Sequence, residues 1–308
     1  PGPEWASVRG TRFREADGGR YTGTGLRGGD RGPTGFVGPA GPTGNGGGRR
    51  RDRARNGRPA MTELAYLKDP AAAYVREFSA RIVARPPGGV VLDRTYFYPE
   101  GGGQPSDRGE LGTPGGPQLR VVEVIRSGSE VIHRLDRRGS KTAELRVGAG
   151  IVASVDWPRR YSHMRAHTTQ HLLSARLFAG SGRRTRSARL STGGGVLELE
   201  GVGAAIPEPG EITRELRAWA NRGLPVGVRF LPRGEFERDP GPRSGLIPLP
   251  AHVDPVRVIE IVPADRCPCG GTHLKNTAEI GTVAVRLSGG ARVEFILGAG
   301  AEPPTPPE

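Results

Sequence analysis

The stretch that decides the fold is GAGIVASVDWPRRYSHMRAHTTQHLLSARLF, residues 148–178. Its first part alternates apolar and polar residues, which is the period of a strand with one buried face. Further on the pattern becomes helical, because Pro158 suits the first turn of a helix. The apolar side of this helix is supplied by Met164, Leu172, Leu173 and Leu177. The stretch therefore predicts a strand followed by a long helix.

The chain before this stretch reads as a series of short β segments. Turns rich in proline and glycine, such as RPPGG and GTPGGP, separate them. The predicted strands lie within residues 77–84, 89–98, 118–126 and 129–135. We predict a small β-barrel-like domain over residues 61–148.

The chain after this stretch mixes strands with a second helix. Residues 209–223 place Ile212, Leu216 and Trp219 on one helical face and stop at Gly223. Predicted strands surround this helix at residues 195–201, 226–232, 255–262, 281–288 and 291–298. Because helices and strands do not alternate as βαβ units, we predict an α+β domain over residues 149–300. The fold class of the whole is α+β.

Both ends of the chain have the composition of segments that cannot bury a core. Residues 1–60 hold 17 glycines and 12 arginines against 5 acidic residues. We predict a disordered leader there, with a basic RNA-tethering tail as the alternative, and a disordered tail at residues 301–308. The leader carries +7 of the net charge of +13. The mildly basic remainder suits a nucleic-acid partner, although a charge excess of this size is more often just a solvated surface.

The sequence shows no sign of membrane insertion or export. No apolar run approaches the ~20 residues of a membrane span, and no secretory pattern is found. The only cysteines, Cys267 and Cys269, are separated by one proline, which leaves no disulfide framework. We therefore expect a cytoplasmic protein whose cysteines serve metal chemistry.

Two short motifs have the spacing of metal ligands. His167 and His171 are four residues apart on a predicted helix, so both imidazoles can reach one ion, and His163 lies on the same face. In CGGTH, residues 269–273, two glycines let Cys269 and His273 converge.

Together the motifs predict a tetrahedral zinc site of one cysteine and three histidines. Cys267 is the rival thiolate, but it lacks the glycine turn before His273. A protease of the HExxH kind is excluded, because Thr168 stands where the catalytic glutamate is needed. A purely structural zinc site remains open, since four protein ligands fill a tetrahedron.

Three stretches carry a family resemblance. They are LDRTYFYPEGGGQPSDRGEL at 92–111, DWPRRYSHMRAHTTQHLLSA at 156–175 and CPCGGTHLKNTAEIG at 267–281. In this order they resemble the editing domain of alanyl-tRNA synthetase. Residues 62–300 are more closely similar to the freestanding alanyl-tRNA editing proteins of the AlaX family, in its medium-length type. The resemblance implies a second additional domain of the threonyl and alanyl-tRNA synthetase type.

This resemblance implies an activity. A trans-acting, zinc-dependent deacylase would hydrolyse the ester of serine mischarged on alanine tRNA, with glycine as a second substrate. A pocket built for alanine rejects smaller or hydroxyl-bearing competitors only modestly, which is why a second site is needed. The alternatives are a non-catalytic tRNA-binding module with a structural zinc, and a zinc hydrolase that acts on another small ester.

The resemblance also implies roles for residues outside the metal site. Gly101, Gly102 and Gly103 are expected to approach the terminal adenosine or the aminoacyl group, and Gln104 to donate a directed hydrogen bond. Thr185 is the candidate reader of the serine hydroxyl, with Ser187 next. The alternatives are a tight turn for the glycines and an exposed loop for Thr185.

Basic residues near the long helix are candidates for contact with tRNA phosphates. They are Arg159, Arg160, Arg183, Arg184 and Arg186. Phosphate contacts would steer binding and weaken with salt. Each of these arginines taken alone can also be a solvated surface residue.

Overall fold

The structure is a computed structural model that describes residues 61–136, 145–241 and 249–298. These residues belong to one compact unit, Ala54–Glu308. The segments predicted to be disordered, 1–60 and 301–308, lie outside the described residues. Within the described ranges, the helices are either too short or too polar to cross a membrane.

The first part of the fold is built from eight strands. They are β1 Glu63–Leu64, β2 Glu77–Ala84, β3 Gly89–Leu92, β4 Arg94–Thr95, β5 Gly109–Gly112, β6 Leu119–Ser127, β7 Glu130–Leu135 and β8 Gly150–Val155. Six of them close into a barrel in the order β2-β3-β7-β6-β5-β8, while β1 pairs with β4. Buried apolar side chains fill the barrel, among them Ile82, Val90, Leu92 and Leu111. Two 3-10 turns, Ala65–Leu67 and Ala72–Tyr74, follow β1.

The long helix is α1, Trp157–Ser181. The Asp156 carboxylate accepts a hydrogen bond from the backbone N–H of Arg159 and so caps its start. Its end is formed by Gly182 at a φ of 70°, a left-handed conformation that glycine adopts without strain. Residues on all sides of the helix are buried. Its polar side chains therefore need hydrogen-bond partners inside the protein.

Two antiparallel sheets accompany this helix. One has the order β14-β15-β10-β9, from Val283–Leu287, Arg292–Leu297, Gly194–Glu200 and Arg184–Ser191. The other has the order β11-β12-β13, from Gly227–Leu231, Val256–Ile261 and Asp265–Pro268. Two further helices are α2 Pro209–Arg222 and α3 Arg233–Arg238, and a 3-10 turn spans Thr277–Ile280. Helices and strands thus mix without βαβ units, as the sequence predicts.

Two of the departures from the predicted elements concern the end of the barrel and the segment around Thr185. β8 pairs with β2 and β5, so the barrel extends to Val155, beyond the boundary predicted at residue 148. The division into two domains at that position stays a prediction. The segment around Thr185 is not a loop but the edge strand β9, whose polar sequence RTRSARLS conceals its pairing with β10.

Candidate metal centre

The structure brings the four predicted ligands together. His167 and His171 project from one side of α1, and Cys269 and His273 follow β13. The Cys269 Sγ lies 3.5 Å from His167 Nε2 and 3.3 Å from His273 Nε2. Tetrahedral zinc with Zn–S near ~2.3 Å and Zn–N near ~2.0 Å separates S and N by about 3.5 Å. The spacing therefore fits the edges of a zinc tetrahedron.

Gln104 fixes the orientation of His167. Its Oε1 accepts a hydrogen bond from His167 Nδ1 at 2.7 Å and from the Thr272 backbone N–H at 3.3 Å. Its Nε2 donates to the Thr272 hydroxyl at 2.9 Å. Because the Nδ1 carries the proton in this arrangement, the Nε2 lone pair of His167 is available to a metal.

The other two histidines have similar partners. His171 Nδ1 lies 2.8 Å from the Asp265 carboxylate, and His273 Nδ1 lies 3.3 Å from the Thr168 hydroxyl. Thr168 also accepts a hydrogen bond from the Leu274 backbone N–H. Partners of this kind, on the far nitrogen of each ring, orient metal-binding histidines. The arrangement leaves all three Nε2 atoms for the ion.

The glycine turn is required for the ligands to converge. A Cβ on Gly271 would lie 2.1 Å from Cε1 of His167, so only glycine fits. The Gly271 backbone N–H also donates to the Cys269 sulfur at 3.3 Å. At Gly270 a Cβ would meet no atom within 4 Å. The turn thus passes against a ligand ring at one glycine only.

The protonation states suit metal binding. Burial raises the pKa of the Cys269 thiol, but the neighbouring histidines outweigh this effect and hold the pKa well below its ordinary value. Burial lowers the pKa of His273 to about 3. A thiolate and a neutral imidazole are the forms that bind metals.

Cys267 and His163 lie outside the group of four ligands. Cys267 is buried, and its sulfur approaches His171 and Asp265 in a second group of potential ligands. His163 is buried, and burial lowers its pKa to about 4. Among the described residues its Nδ1 has no hydrogen-bond partner.

A cavity of about 620 Å³ opens against the ligands. Three of the four ligands, His167, His171 and Cys269, form part of its wall. The remaining wall includes the glycine loop, four consecutive positions of β9 and two tyrosines, namely Gly101–Gly103, Thr185–Ala188, Tyr66 and Tyr98. A molecule in the cavity can therefore reach the metal site directly.

The glycine loop is a tight turn that also lines this cavity. Gly102 and Gly103 have φ values of 57° and 81°, which favour glycine. The Gly103 carbonyl accepts a hydrogen bond from the Leu190 backbone N–H at 2.9 Å. A Cβ on Gly103 would lie 2.2 Å from the Ala188 carbonyl oxygen. The loop therefore is a tight turn that packs directly on β9, and its approach to the terminal adenosine or the aminoacyl group stays a prediction.

Two predicted contacts with the substrate need correction. Gln104 is completely buried and bonds to His167 and Thr272, so it supports a ligand instead of donating to substrate. Arg160 is completely buried, forms an ion pair with Asp107 and donates to the carbonyl of Ala73. Such an arginine cannot contact a phosphate, because its donors are already used inside the protein.

The other predicted arginines differ in exposure. Arg159 is half-buried and donates to the Ser106 carbonyl, and Arg183 is half-buried beside the carbonyls of Gly201 and Ala204. Arg184 and Arg186 are exposed on β9. Arg186 forms an ion pair with Glu198 at 2.9 Å. Arg184 and Arg186 are thus the two of the five that are exposed.

Thr185 lies in the cavity wall at the end of a row of hydrogen bonds. Its hydroxyl is 2.8 Å from the Ser174 hydroxyl, which accepts from Gln170 Nε2 at 2.8 Å. Ser187 also lines the cavity, but it is exposed and donates to Glu198 at 3.0 Å.

Sequence reasoning missed the residues that support the ligands and Thr185. A local signal exists for some of them: Thr272 lies inside the CGGTH motif, and Gln170 and Ser174 are four residues apart on one face of a helix. Asp265 stands two positions before Cys267, at the start of β13, and no sequence pattern singles it out.

Two known families match parts of the chain. Residues 62–159 match the family described as tRNA synthetases class II (A). Residues 256–293 match the threonyl and alanyl tRNA synthetase second additional domain. The first match covers the barrel and the start of α1, and the second includes β12, β13 and both ligands that follow them.

Individual relatives match most of the chain. The alanyl-tRNA editing protein AlaX-M of Saccharolobus solfataricus is 34% identical over 230 residues, which cover 73% of this chain and 92% of that protein. AlaX-L of Pyrococcus horikoshii is 34% identical over 234 residues, covering 73% and 54%. The alanine–tRNA ligase of Pyrobaculum neutrophilum is 37% identical over 260 residues, covering 79% of this chain and only 27% of the ligase. The chain therefore belongs to the AlaX family of alanyl-tRNA editing proteins.

Proposed function

We propose that the protein is a trans-acting aminoacyl-tRNA deacylase. Its substrate is alanine tRNA mischarged with serine, and glycine is the second amino acid that it removes. The relatives named as alanyl-tRNA editing proteins support this assignment. The observation that carries it is the position of three ligands in the cavity wall. A purely structural zinc site is normally closed, whereas three of these ligands line an open cavity.

The donor set supports zinc as the metal. One thiolate and three neutral imidazoles at tetrahedral spacing are typical zinc ligands. When bound, zinc supplies Lewis-acid polarisation of a water, or of the amino group or carbonyl of the substrate. The chain's own contribution is to fix the orientation of each histidine ring. Gln104 holds His167, Asp265 holds His171, and Thr168 holds His273.

The glycine loop positions the ester. Because Gly101–Gly103 carry no side chains, the backbone of the cavity wall can approach the terminal adenosine closely. The hydrogen bond from the Leu190 backbone N–H to the Gly103 carbonyl holds this turn against β9. An aminoacyl ester is already activated, and positioning with electrostatic stabilisation is enough to accelerate its hydrolysis.

Thr185 is proposed to distinguish serine from alanine. Gln170 donates to Ser174, and Ser174 can in turn donate to Thr185. In that order the Thr185 proton points to whatever fills the cavity. A seryl group would accept or share it, whereas an alanyl group leaves the hydroxyl unpaired. A site built for a hydroxyl discriminates against a substrate that lacks it.

Exposed arginines are proposed to guide the tRNA. Arg184 and Arg186 lie on β9, and Arg186 reaches the cavity wall. Arg186 is partly neutralised by Glu198, so Arg184 carries more of the attraction. Binding through them should weaken as salt is added.

The direct experiment measures amino acid released from seryl-, glycyl- and alanyl-tRNA(Ala) by the zinc-loaded protein. We expect rapid release of serine, slower release of glycine and little release of alanine. The alternative function is a tRNA-binding module with a structural zinc, favoured by the presence of four protein ligands. That alternative predicts tRNA binding with no release of any amino acid.

Thr185→Val tests the discrimination step. The variant keeps the size of the side chain and removes its hydroxyl. The activation free energy of seryl-tRNA hydrolysis should therefore rise by about 1–3 kcal/mol, which slows the reaction. Zinc content and tRNA affinity should not change. Ser187→Ala is the matched control, because it removes a neighbouring exposed hydroxyl of the same cavity wall. If Ser187→Ala slows seryl-tRNA hydrolysis and Thr185→Val does not, the residue that recognises the serine hydroxyl is Ser187.

A further inference from the structure

Tyr66 has a hydroxyl that the protein does not use. The residue lies in the 3-10 turn Ala65–Leu67, is only 2% exposed and lines the cavity. Within the described part of the chain, its hydroxyl makes no hydrogen bond. The surrounding residues do not enclose this hydroxyl completely, so it remains accessible from the cavity. A buried phenol normally finds a partner, and here the open position is in the cavity.

The hydroxyls of several other tyrosines are bonded inside the protein. The ring of Tyr66 packs edge-on against Tyr98 at 5.5 Å between centroids, which fixes its position. The Tyr98 hydroxyl donates to the Gly101 carbonyl at 2.7 Å, and the hydroxyl of Tyr161 lies 3.1 Å from Glu279. Those two phenols stabilise the fold, whereas the phenol of Tyr66 is free to bind another molecule.

The charges around Tyr66 favour a partner rich in negative charge. Arg126, near the end of β6, is exposed and lines the same cavity. It forms no ion pair with the described residues, and its Nε makes one long bond of 3.4 Å to the Gly128 carbonyl. Glu100 also lines the cavity and is the acidic group of the wall. Arg257 is buried nearby, and its guanidinium donates to the Cys269 carbonyl.

The phenol is a hydrogen-bond donor at neutral pH. Burial raises the pKa of Tyr66 above its ordinary value, and the positive charges of Arg160, Arg126 and Arg257 only partly oppose this effect. A protonated hydroxyl and a guanidinium without an ion-pair partner, on the wall of one cavity, are groups that recognise phosphate oxygens.

We propose that Tyr66 and Arg126 bind the phosphate of the 3′-terminal nucleotide of the substrate. This inference rests on the proposed function, since it places the aminoacyl ester at the metal ligands in the same cavity. A cavity of about 620 Å³ is in the range that encloses ligands much larger than an amino acid. The phosphate is the nearest anionic group to the ester in an aminoacyl-tRNA. Tyr66 donates to one of its oxygens, and Arg126 supplies the positive charge.

Two small substrates separate the phosphate from the ester. They are the 2′(3′)-seryl esters of adenosine 5′-monophosphate and of adenosine, hydrolysed by the zinc-loaded full chain. Tyr66→Phe should raise the KM for the phosphorylated ester by about 10-fold to 100-fold, the loss for one hydrogen bond to a charged group, with kcat unchanged. The parameters for seryl-adenosine should stay the same. Arg126→Met should show the same selectivity.

Tyr161→Phe is the matched control, because it removes a hydroxyl bonded inside the protein and not in the cavity wall. If Tyr66→Phe raises the KM for both esters equally, its hydroxyl contacts the ester or the ribose and not the phosphate, and the proposal is overturned. No loss on either ester would also overturn it. Arg126→Met, on an exposed residue, keeps the test valid if the tyrosine variant unfolds.

Calorimetric binding of adenosine monophosphate and adenosine separates this inference from the proposed function. A protein that binds the monophosphate more tightly, and loses this preference in Tyr66→Phe, supports the phosphate subsite even if it releases no serine from tRNA. A parent protein that binds adenosine monophosphate and adenosine with equal affinity rejects the subsite, whatever its deacylase activity.

Discussion

Replacement of Gln104 by methionine tests whether this buried amide prepares His167 for the metal. Methionine is apolar and has a similar length, so the packing changes little. The variant removes three hydrogen bonds, one to His167 Nδ1 and two to Thr272. Both Gln104 and Thr272 are completely buried, and water cannot replace the lost partner.

The structure sets the expected size of the effect. Each polar group left unpaired in the core costs about 1–3 kcal/mol, which lowers the stability of the metal-free protein. Metal affinity changes only if the variant destabilises the metal-bound protein more than the metal-free protein. His167 loses its fixed ring orientation and its fixed proton, and comparable changes beside metal ligands weaken metal binding by about 10-fold to 100-fold. That range corresponds to about 1.4–2.7 kcal/mol.

The assay is competition for zinc between the protein and a chromophoric chelator, at a pH near 7. Gln170→Met is the matched control, because Gln170 is also buried but bonds to Ser174 and not to a ligand. We expect weak zinc binding in Gln104→Met and normal zinc binding in Gln170→Met, with slower seryl-tRNA hydrolysis in the latter. Equal zinc affinities of the two variants and the parent would refute the role given to Gln104.

Three further variants address the metal turn, the thiolate and the core. Gly271→Ala should abolish stoichiometric zinc binding by displacing a ligand ring, whereas Gly270→Ala should bind zinc normally, as metal analysis of both would show. Cys269→Ala should lose more zinc than Cys267→Ala in the same measurement, and equal losses would mean that the ligand set is wrong. Arg160→Met should lower the free energy of unfolding by about 3–5 kcal/mol in urea titration, because it leaves a buried carboxylate unpaired; a loss below about 1 kcal/mol would contradict this.

Elements with a strong periodic pattern could be predicted from the sequence. The helix expected over 209–223 is α2, Pro209–Arg222, and ends at Gly223 as predicted. The strand expected at 77–84 is β2. Such segments carry their signal locally, in apolar spacing and in glycine ends. β5 could not be found in this way, because it begins and ends with glycine and has no apolar alternation. Gly109 is needed for the close approach of β5 to β8, since a Cβ there would lie 2.0 Å from the Ser154 carbonyl oxygen.

The ligands of the candidate site could be predicted, but their supports could not. His167 and His171 share a helical face, and Cys269 and His273 share a turn, so each pair is visible as a local spacing. Gln104 reaches Thr272 across 168 positions of sequence, and only the folded chain brings them together.

Arg160 shows the same limit in another way. Its charge suggested a surface contact, whereas the fold buries it against Asp107, 53 positions earlier. Whether an arginine is exposed depends on which partner the fold supplies, and a local pattern does not contain that information.

The long separation between Gln104 and Thr272 has a consequence for the order in which the protein matures on the ribosome. The barrel strands can pair from segments that are already synthesised, since their ladders close within residues 77–155. The helix α1 instead packs against β9 and later elements, so its packing waits for the rest of the chain. Cys269 emerges 98 residues after His171, and contacts of such separation close late. A nascent chain thus presents His167 and His171 before the thiolate arrives. Metal loading is then expected as one of the final steps of folding, after the second sheet has assembled.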